Sequence, residues 1–250
     1  MNISKDRFLI LTLLLGLLIR LVLAPIAGFK FDVDTWFAWA DRLNSVGFAN
    51  FYSDQIWTTY PPGFLYILAV LGFIKNLFQI DTSFFYSILK FPSILAEIIL
   101  AFLIYQIIPK TSLTLRRIGV IFIILNPAFI FNSSIFGQFD GLFSLTLVLS
   151  AYFLTQRKMA LSSVFWGISF LLKPQAVLFL PVYSFYILKY FSVKNLLKIT
   201  TPALIVIFLL FFPFSINNPI GGLINLTSNL IGHYQYNSIF AYNFWGIFGF

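Results

Sequence analysis

The chain has 250 residues, of which 60% are hydrophobic and only 10% are charged. A soluble domain carries about a quarter charged residues, so this chain has too few polar side chains to cover a water-soluble surface. Its net charge of +8 comes from basic residues spread singly or in pairs between apolar segments, which is typical of membrane topology rather than of a nucleic-acid groove. The absence of cysteine excludes disulfides and thiolate sites. We therefore expect an all-α, polytopic membrane helix bundle that binds membrane lipids and no nucleic acid.

Eight apolar stretches follow one another along the chain, and a helix needs about 20 apolar residues to cross the hydrocarbon layer. Seven of them predict spanning helices: 8–26, 84–108, 118–131, 142–154, 159–172, 176–190 and 199–214. The eighth, 62–80, is interrupted by Lys75 and Asn76, and we expect it to lie at the outer surface or to enter the membrane and return. Residues 1–250 then form a single transmembrane domain, with 28–82 as its first external loop. Because the chain stops within an apolar stretch at Phe250, we expect its C-terminal end to be truncated.

The basic residues predict the orientation of this bundle, because Lys and Arg concentrate in cytoplasmic loops. Ten of the sixteen are expected inside: Lys5, Arg7, Lys110, Arg116, Arg117, Arg157, Lys158, Lys189, Lys194 and Lys198. Segments 29–63, 137–141, 173–175 and 215–250 then face outside, together with six of the eight acidic residues. The positive-inside rule does not require this grouping of acidic residues. The grouping itself therefore predicts a single extracytoplasmic site.

The first external loop carries two carboxylates, Asp32 and Asp34, at the start of a helical pattern. Trp36, Trp39 and Leu43 recur at helical spacing, which predicts an amphipathic interfacial helix with its tryptophans at headgroup depth. One of the two carboxylates could simply be the N-cap of this helix. The functional interpretation is a carboxylate that acts as a general base at the membrane surface.

Four further polar motifs interrupt the apolar chain. They are Tyr60-Pro61-Pro62-Gly63, Gly137-Gln138-Phe139-Asp140-Gly141, Lys173-Pro174-Gln175 and the lone histidine His233. Each has a structural alternative: a helix start, a short exposed turn, a snorkelling lysine at a helix break and a structural histidine. As functional residues, we expect Tyr60, Gln138, Asp140, Lys173, Gln175 and His233 to bind substrate, with Lys173 and His233 facing an anionic group.

Three charged residues, Arg20, Lys90 and Glu97, lie inside predicted spanning helices, where they are expected to face the interior of the bundle. Lys90 and Glu97 are seven residues apart and share a helix face, and we favour a structural role for that pair.

Taken together, these motifs resemble the GT-C superfamily of integral membrane glycosyltransferases. The likeness is to bacterial members related to the dolichol-pathway glucosyl- and mannosyltransferases, and it extends from about residue 8 to the end. Its residues stand in order along the chain: Asp32 with Trp39-Ala40, then Tyr60 to Gly63, Gly137 to Asp140, Lys173 to Gln175, and finally Ala241 to Trp245. Relatives often have an acid immediately before the Tyr-Pro-Pro-Gly motif, whereas this chain has Thr59. Asp140 or Asp54 could compensate for that carboxylate.

The resemblance implies a hexosyltransferase of the bacterial plasma membrane with its site outside. It would transfer mannose or glucose, with inversion, from a polyprenyl-phosphate donor to a glycan, lipid or protein acceptor. It also implies that Asp32 is essential, with Asp34 as the fallback, while Arg20 is a further candidate partner for the phosphate. The sequence by itself does not call for a cofactor, and a divalent metal stays open as an alternative, because carboxylates and amides are ligands that a hard cation takes. The alternatives are a transporter or flippase for a lipid-linked saccharide and a non-catalytic fragment.

Overall fold

The computed structural model describes residues 6–53, 58, 60–190 and 192–217, and the regular secondary structure of these residues is entirely helical. Its α-helices are α1 (Arg7–Leu23), α2 (Lys30–Val46), α3 (Gly63–Phe78), α4 (Thr82–Ile107), α5 (Leu113–Ile124), α6 (Pro127–Ile130), α7 (Asp140–Thr155), α8 (Met159–Leu172), α9 (Leu180–Lys189) and α10 (Val193–Ser215). A π-helical segment, Phe131–Phe136, continues α6, and 3₁₀ turns occupy Phe48–Asn50 and Pro174–Phe179.

Three helical stretches are long and apolar enough to cross a membrane: Thr82–Ile107, Leu113–Phe136 and Val193–Ser215. The other predicted spans form shorter helices, with 17 residues in α1, 16 in α7 and 14 in α8. Predicted span 176–190 is broken, because a 3₁₀ turn occupies its first part and only the ten residues of α9 follow. Pro174 and Pro181, which start these two pieces, supply no backbone N–H to a continuous helix.

Helices α2 and α3 pack side by side in the same direction. Trp36 contacts Phe64 at the start of both helices, with ring centroids 5.3 Å apart. Near the other end, the Lys75 ammonium bonds the Asp41 carboxylate at 2.8 Å. The segment 62–80, expected to lie outside the spanning bundle, is therefore a 16-residue helix that packs on the first loop.

A helix is confirmed where the sequence predicts an amphipathic one, but its tryptophans pack inside the protein. Trp36 and Trp39 are each only 2% exposed, within a core formed by α2, α3 and the start of α4. Their helical spacing therefore marks the face that packs against protein, and the expected contact with lipid headgroups is wrong.

Helix α4 joins two apolar clusters. Its first part contributes Phe85 and Leu89 to the cluster with α2 and α3. Its second part contributes Ala96, Leu100 and Tyr105 to a cluster with α1, α5 and α7. The charged side chains Lys90 and Glu97 lie between these two sets, so α4 carries a polar layer where the clusters meet.

Each charge in this layer has its own partners. Arg20 Nε lies 2.8 Å from Glu97 Oε2, and both side chains are fully buried. Lys90 instead donates to the carbonyls of Ala24, Ile26, Ser134 and Ile135, at 2.6–3.2 Å. The structural role expected for Lys90 and Glu97 is thus found, but the two side chains do not pair with each other.

A basic cluster lies at Tyr105, about 12 Å along α4 from Glu97 and about 22 Å from Lys90, because these residues are 8 and 15 positions away in the helix. There the Tyr105 hydroxyl donates to Asp6, and Arg117 bonds the same carboxylate at 3.2 Å. Arg116 donates to the Tyr105 carbonyl at 2.7 Å. The structure therefore places this basic cluster at the end of the bundle away from the polar motifs.

We expect Glu97→Ala to destabilise the protein by about 3–5 kcal/mol, because it leaves the buried Arg20 guanidinium without a counter-charge. The midpoint of unfolding in detergent would measure this loss. Replacing both partners, Arg20→Leu with Glu97→Leu, should recover much of it. A single Glu97→Ala variant as stable as the parent would show that the ion pair contributes nothing.

Candidate functional site

Asp32 lies in the first turn of α2, where the helix dipole favours a carboxylate. The start of this helix is held by a backbone bond from Phe29 N to the Phe136 carbonyl, 2.9 Å long. Gln138 Nε2 donates to Asp32 Oδ2 across this junction. The structure therefore joins the predicted base to a residue 106 positions later in the chain.

The turn that carries Gln138 is set by the end of the π-helical segment. The Asn132 carbonyl accepts hydrogen bonds from the backbone N–H groups of Gly137 and Gln138, both 3.0 Å long. Gly137 has a φ of +92°, a left-handed conformation that side chains disfavour. A Cβ there would also approach Val33 Cγ2 to 2.9 Å. Glycine is therefore required for Gln138 to reach Asp32.

Asp140 begins α7 on the far side of the same turn and binds the residue predicted to face an anion. Lys173 Nζ bonds Asp140 Oδ1, and Asn132 Nδ2 donates to Oδ2 at 3.2 Å. Lys173 follows directly after α8, whose last residue is Leu172. Three segments distant in sequence thus bring Asp32, Gln138, Asp140 and Lys173 together.

Phe139, between Gln138 and Asp140, anchors the turn in an aromatic cluster. Its ring stacks on Phe64 of α3 with centroids 3.9 Å apart, and it is only 2% exposed. Tyr60 and Trp36 contact the same ring at 5.5 and 5.4 Å, and Lys173 Nζ lies 4.9 Å from its centroid. Tyr60 is thus part of the site, and the turn is not the simple exposed loop that its sequence also allowed.

Burial raises the pKa of Asp32, since desolvation disfavours the charged carboxylate. The hydrogen bond from Gln138 and the charge of Lys173 act in the opposite direction, and the charge of Asp140 adds to the increase. A carboxylate with a raised pKa is a better proton acceptor than an ordinary surface Asp.

The other predicted site residues are placed differently. Asp34 accepts a 2.7 Å hydrogen bond from the Tyr86 hydroxyl. Neither Asp34 nor Asp32 is an N-cap, because α2 begins at Lys30 with Phe29 at the N-cap position. Gln175 is exposed in the 3₁₀ turn that follows Lys173. The remaining residues singled out, Asp54, Thr59, His233 and the motif at 241–245, lie outside the described residues.

Arg20 was a candidate phosphate partner, but it is committed elsewhere. Its guanidinium is fully buried and bonds Glu97, the Gly16 carbonyl and the Ile124 carbonyl. This contact set holds α1 against α4 and α5, and it leaves Lys173 as the cation of the described site.

Sequence reasoning missed Asn132, which supports both sides of the turn through its backbone and its side chain. The available signal was a polar triplet, Asn132-Ser133-Ser134, inside an otherwise apolar run. Ser133 in turn donates to Glu97 at 2.9 Å. A polar triplet within an apolar helix therefore indicates a support for the nearby turn.

The described residues contain no group of three or more His, Cys, Asp or Glu side chains arranged around one point. No family model, curated protein or solved structure matches the chain. A functional proposal therefore rests on the arrangement of the chain's own residues.

We expect two substitutions to move the Asp32 pKa in opposite directions. Lys173→Met should raise it, because a nearby positive charge is lost, and Asp140→Asn should lower it, because a nearby negative charge is lost. Carbon-13 NMR titration of labelled Asp carboxyl groups, assigned with Asp32→Asn, would measure both shifts. Shifts of the same sign in both variants would contradict this electrostatic description.

The same raised pKa predicts how Asp32 contributes to stability. Because its pKa is higher in the folded than in the unfolded chain, the folded state binds the proton more tightly. The Asp32 contribution should therefore decrease as pH rises from about the ordinary Asp value of 3.8 through the folded-state pKa. Unfolding midpoints of the parent and Asp32→Asn, compared across this range, would test the sign.

Proposed function

We propose that the protein is a membrane glycosyltransferase that moves a hexose, of the mannose or glucose class, from a polyprenyl-phosphate carrier to an acceptor hydroxyl with inversion. One observation carries the proposal: Asp32, Gln138, Asp140 and Lys173 converge at one end of an apolar helical bundle. A carboxylate base beside a cation is what attack by a hydroxyl on a phosphate-linked carbon requires.

In this mechanism the acceptor hydroxyl approaches the anomeric carbon on the face opposite the phosphate. A new C–O bond forms to the acceptor while the bond from the anomeric carbon to the phosphate oxygen breaks, and the hydroxyl proton passes to Asp32. The hydrogen bond from Gln138 fixes the orientation of the Asp32 carboxylate, and burial makes that carboxylate more basic. Positioning and basicity then act on the same carboxylate.

The leaving phosphate keeps the bonding electrons and needs a stabilising charge rather than a proton. Lys173 would supply that charge. Its ammonium already lies between the Asp140 carboxylate and the Phe139 ring, so it is held in place before the donor arrives. Asp140 therefore positions the cation, and Gln175 and His233 remain proposed substrate contacts.

We further propose that the bundle is multi-pass in a bacterial plasma membrane, with the site on the extracytoplasmic side. Three apolar helices of spanning length support membrane insertion. The basic cluster of Arg116 and Arg117 lies at the end away from Asp32, which agrees with the positive-inside rule.

Transport of a lipid-linked saccharide is the competing function, and it favours polar groups that can change partners along a path through the bundle. Here the deep charges are already engaged. Arg20 pairs with Glu97, and Lys90 bonds four carbonyls. These fixed contacts favour a static scaffold with chemistry at one end.

We expect Asp32→Asn to reduce turnover of labelled polyprenyl-phosphate sugars in proteoliposomes by about 10²–10⁴-fold, the usual contribution of a general base. Asp41→Asn is the matched control, because it removes a carboxylate from the same helix that pairs with Lys75 instead of the site. Its turnover should stay within a few-fold of the parent.

Asp34→Asn tests the fallback assignment in the same assay. A large loss in Asp34→Asn with an active Asp32→Asn enzyme would move the base to Asp34. Parental turnover in a well-folded Asp32→Asn enzyme would reject Asp32 as the base. If the parent consumes none of the donor sugars, glycosyl transfer from these carriers is rejected.

A further inference from the structure

A groove of about 260 Å³ opens between α8, α9 and α10, at residues that the proposed site does not use. Tyr183, Ile199 and Ala203 form its buried floor, whereas Ser184 and Thr200 on its rim are exposed. Helix α9 has a single buried residue, Tyr183, so the groove separates most of this helix from its neighbours. Because α10 is apolar and of spanning length, the groove opens to lipid when the bundle is in a membrane.

The polar groups in the wall of this groove already have partners. The Tyr183 hydroxyl lies 2.8 and 2.6 Å from two buried serine hydroxyls. Thr200 and Trp166 donate to backbone carbonyls at 3.0 and 2.9 Å, and Ser163 also donates to a carbonyl. The rest of the wall is mainly aliphatic, as at Leu204. An occupant that brings no polar groups, such as an acyl chain, therefore fits this groove.

Two cations meet just beyond one end of the groove. Tyr190 follows Ile187, a residue of the groove wall, by three positions, or about one helical turn. The Arg157 guanidinium and the Lys189 ammonium each lie 5.5 Å from the centroid of the Tyr190 ring. Arg157 comes from the turn between α7 and α8, and Lys189 is the last residue of α9. Two segments thus bring positive charge to one aromatic ring.

The backbone of Arg157 is unusual. Its φ is +57°, a left-handed conformation that glycine or asparagine normally takes after the end of a helix. The chain therefore keeps an arginine at a position where a side chain is disfavoured. A requirement for the guanidinium at this turn explains that choice.

These two cations are exposed and lack an acidic partner. Neither forms an ion pair with another described residue, and no Asp or Glu follows Asp140 in the sequence. Asp6, at the same end of the bundle, is buried and engaged by Tyr105 and Arg117. A head group with a net negative charge therefore matches this end of the groove. A choline head group does not, because its ammonium would face cations alone.

We propose that the groove holds an acyl chain of an anionic phospholipid, with the lipid phosphate bound by Arg157 and Lys189 beside Tyr190. Basic pockets between membrane helices bind anionic lipid head groups in this way. The positive-inside rule accounts for cations at this end, but it does not bring two of them to one ring beside an apolar groove. The lipid would fill the space that separates α9 from α8 and α10. This proposal does not rest on glycosyl transfer.

The head-group contacts are tested with the double variant Arg157→Gln/Lys189→Gln. Its matched control is Lys194→Gln/Lys198→Gln, which removes two exposed positive charges from the start of α10 that do not belong to the groove wall. Both variants lose the same net charge at the same end of the bundle. A difference between them therefore reports the position of the charges.

The groove itself is tested by filling it from two sides, with Thr200→Phe on α10 and, separately, Ser184→Phe on α9. Both residues are exposed on the rim, so each site has room to accept a larger side chain. Thr201→Phe is the matched control, because Thr201 is the exposed neighbour of Thr200 outside the groove wall. Gel filtration and unfolding midpoints would select the well-folded variants.

The measurement is native mass spectrometry of the delipidated full chain in detergent, titrated with dioleoyl phosphatidylglycerol, dioleoyl phosphatidylcholine or glycerol 3-phosphate. We expect the parent to bind phosphatidylglycerol at least tenfold more tightly than either of the other two probes. The Arg157→Gln/Lys189→Gln variant should lose this preference, and the filled variants should bind phosphatidylglycerol at least tenfold more weakly. Both control variants should stay within about threefold of the parent.

Four results would overturn the proposal. Equal binding of the two phospholipids by the parent would reject selection of an anionic lipid. An equal loss in the two double glutamine variants would show that general surface charge attracts the lipid. Glycerol 3-phosphate binding as tight as that of phosphatidylglycerol, or parental affinity in both filled variants, would reject the groove as the acyl site. A parent dimer that Thr200→Phe dissociates, without bound phosphatidylglycerol, would identify a second copy of the chain as the occupant.

Discussion

The ammonium group of Lys90 is the contact on which the described site depends. It donates to two carbonyls after the end of α1 and to two near the end of the π-helical segment, so that one side chain satisfies backbone acceptors at two helix termini. Carbonyls at a helix C-terminus carry partial negative charge, which explains how an ammonium can be buried there without a carboxylate. The two termini that Lys90 joins are followed directly by the segments that carry Asp32 and Gln138.

The same layer also separates the protein into two regions with different packing. On one side, aromatic rings from α2 and α3 form a core around Trp36. On the other, aliphatic side chains of α4, α5 and α7 fill the space. The polar groups lie at the boundary, where each is satisfied by a specific partner. Such a layer costs desolvation energy, which its ion pair and hydrogen bonds offset.

Much of the fold could be predicted from local patterns in the sequence. Apolar periodicity gave α8 the bounds found in the structure, and it identified helix α2 and the common face of Trp36, Trp39 and Leu43. It assigned that face to lipid headgroups, whereas the structure buries it in the protein core. The break of span 176–190 was missed because a run of apolar residues hides the effect of Pro174 and Pro181 on the helix. Hydropathy measures partition into lipid, whereas continuity of a helix depends on backbone N–H groups.

The candidate site was predictable as a set of residues and not as a set of contacts. Polar motifs in an apolar chain stand out, which is why Asp32, Gln138, Asp140 and Lys173 could be named without a structure. The partners of these side chains could not be named from the sequence. For example, Glu97 pairs with Arg20 and not with Lys90, because α1 packs on α4. Asp34 likewise pairs with Tyr86 because α4 passes that face of α2.

Phe139 anchors the turn that joins the two halves of the site. Its two neighbours in sequence contact Asp32 on one side and Lys173 on the other, while its ring is stacked on Phe64 at the start of α3. The partners of Asp32 and Lys173 therefore lie on either side of one anchored ring. A displacement of α3 would therefore act on the partners of Asp32 and Lys173 at the same time.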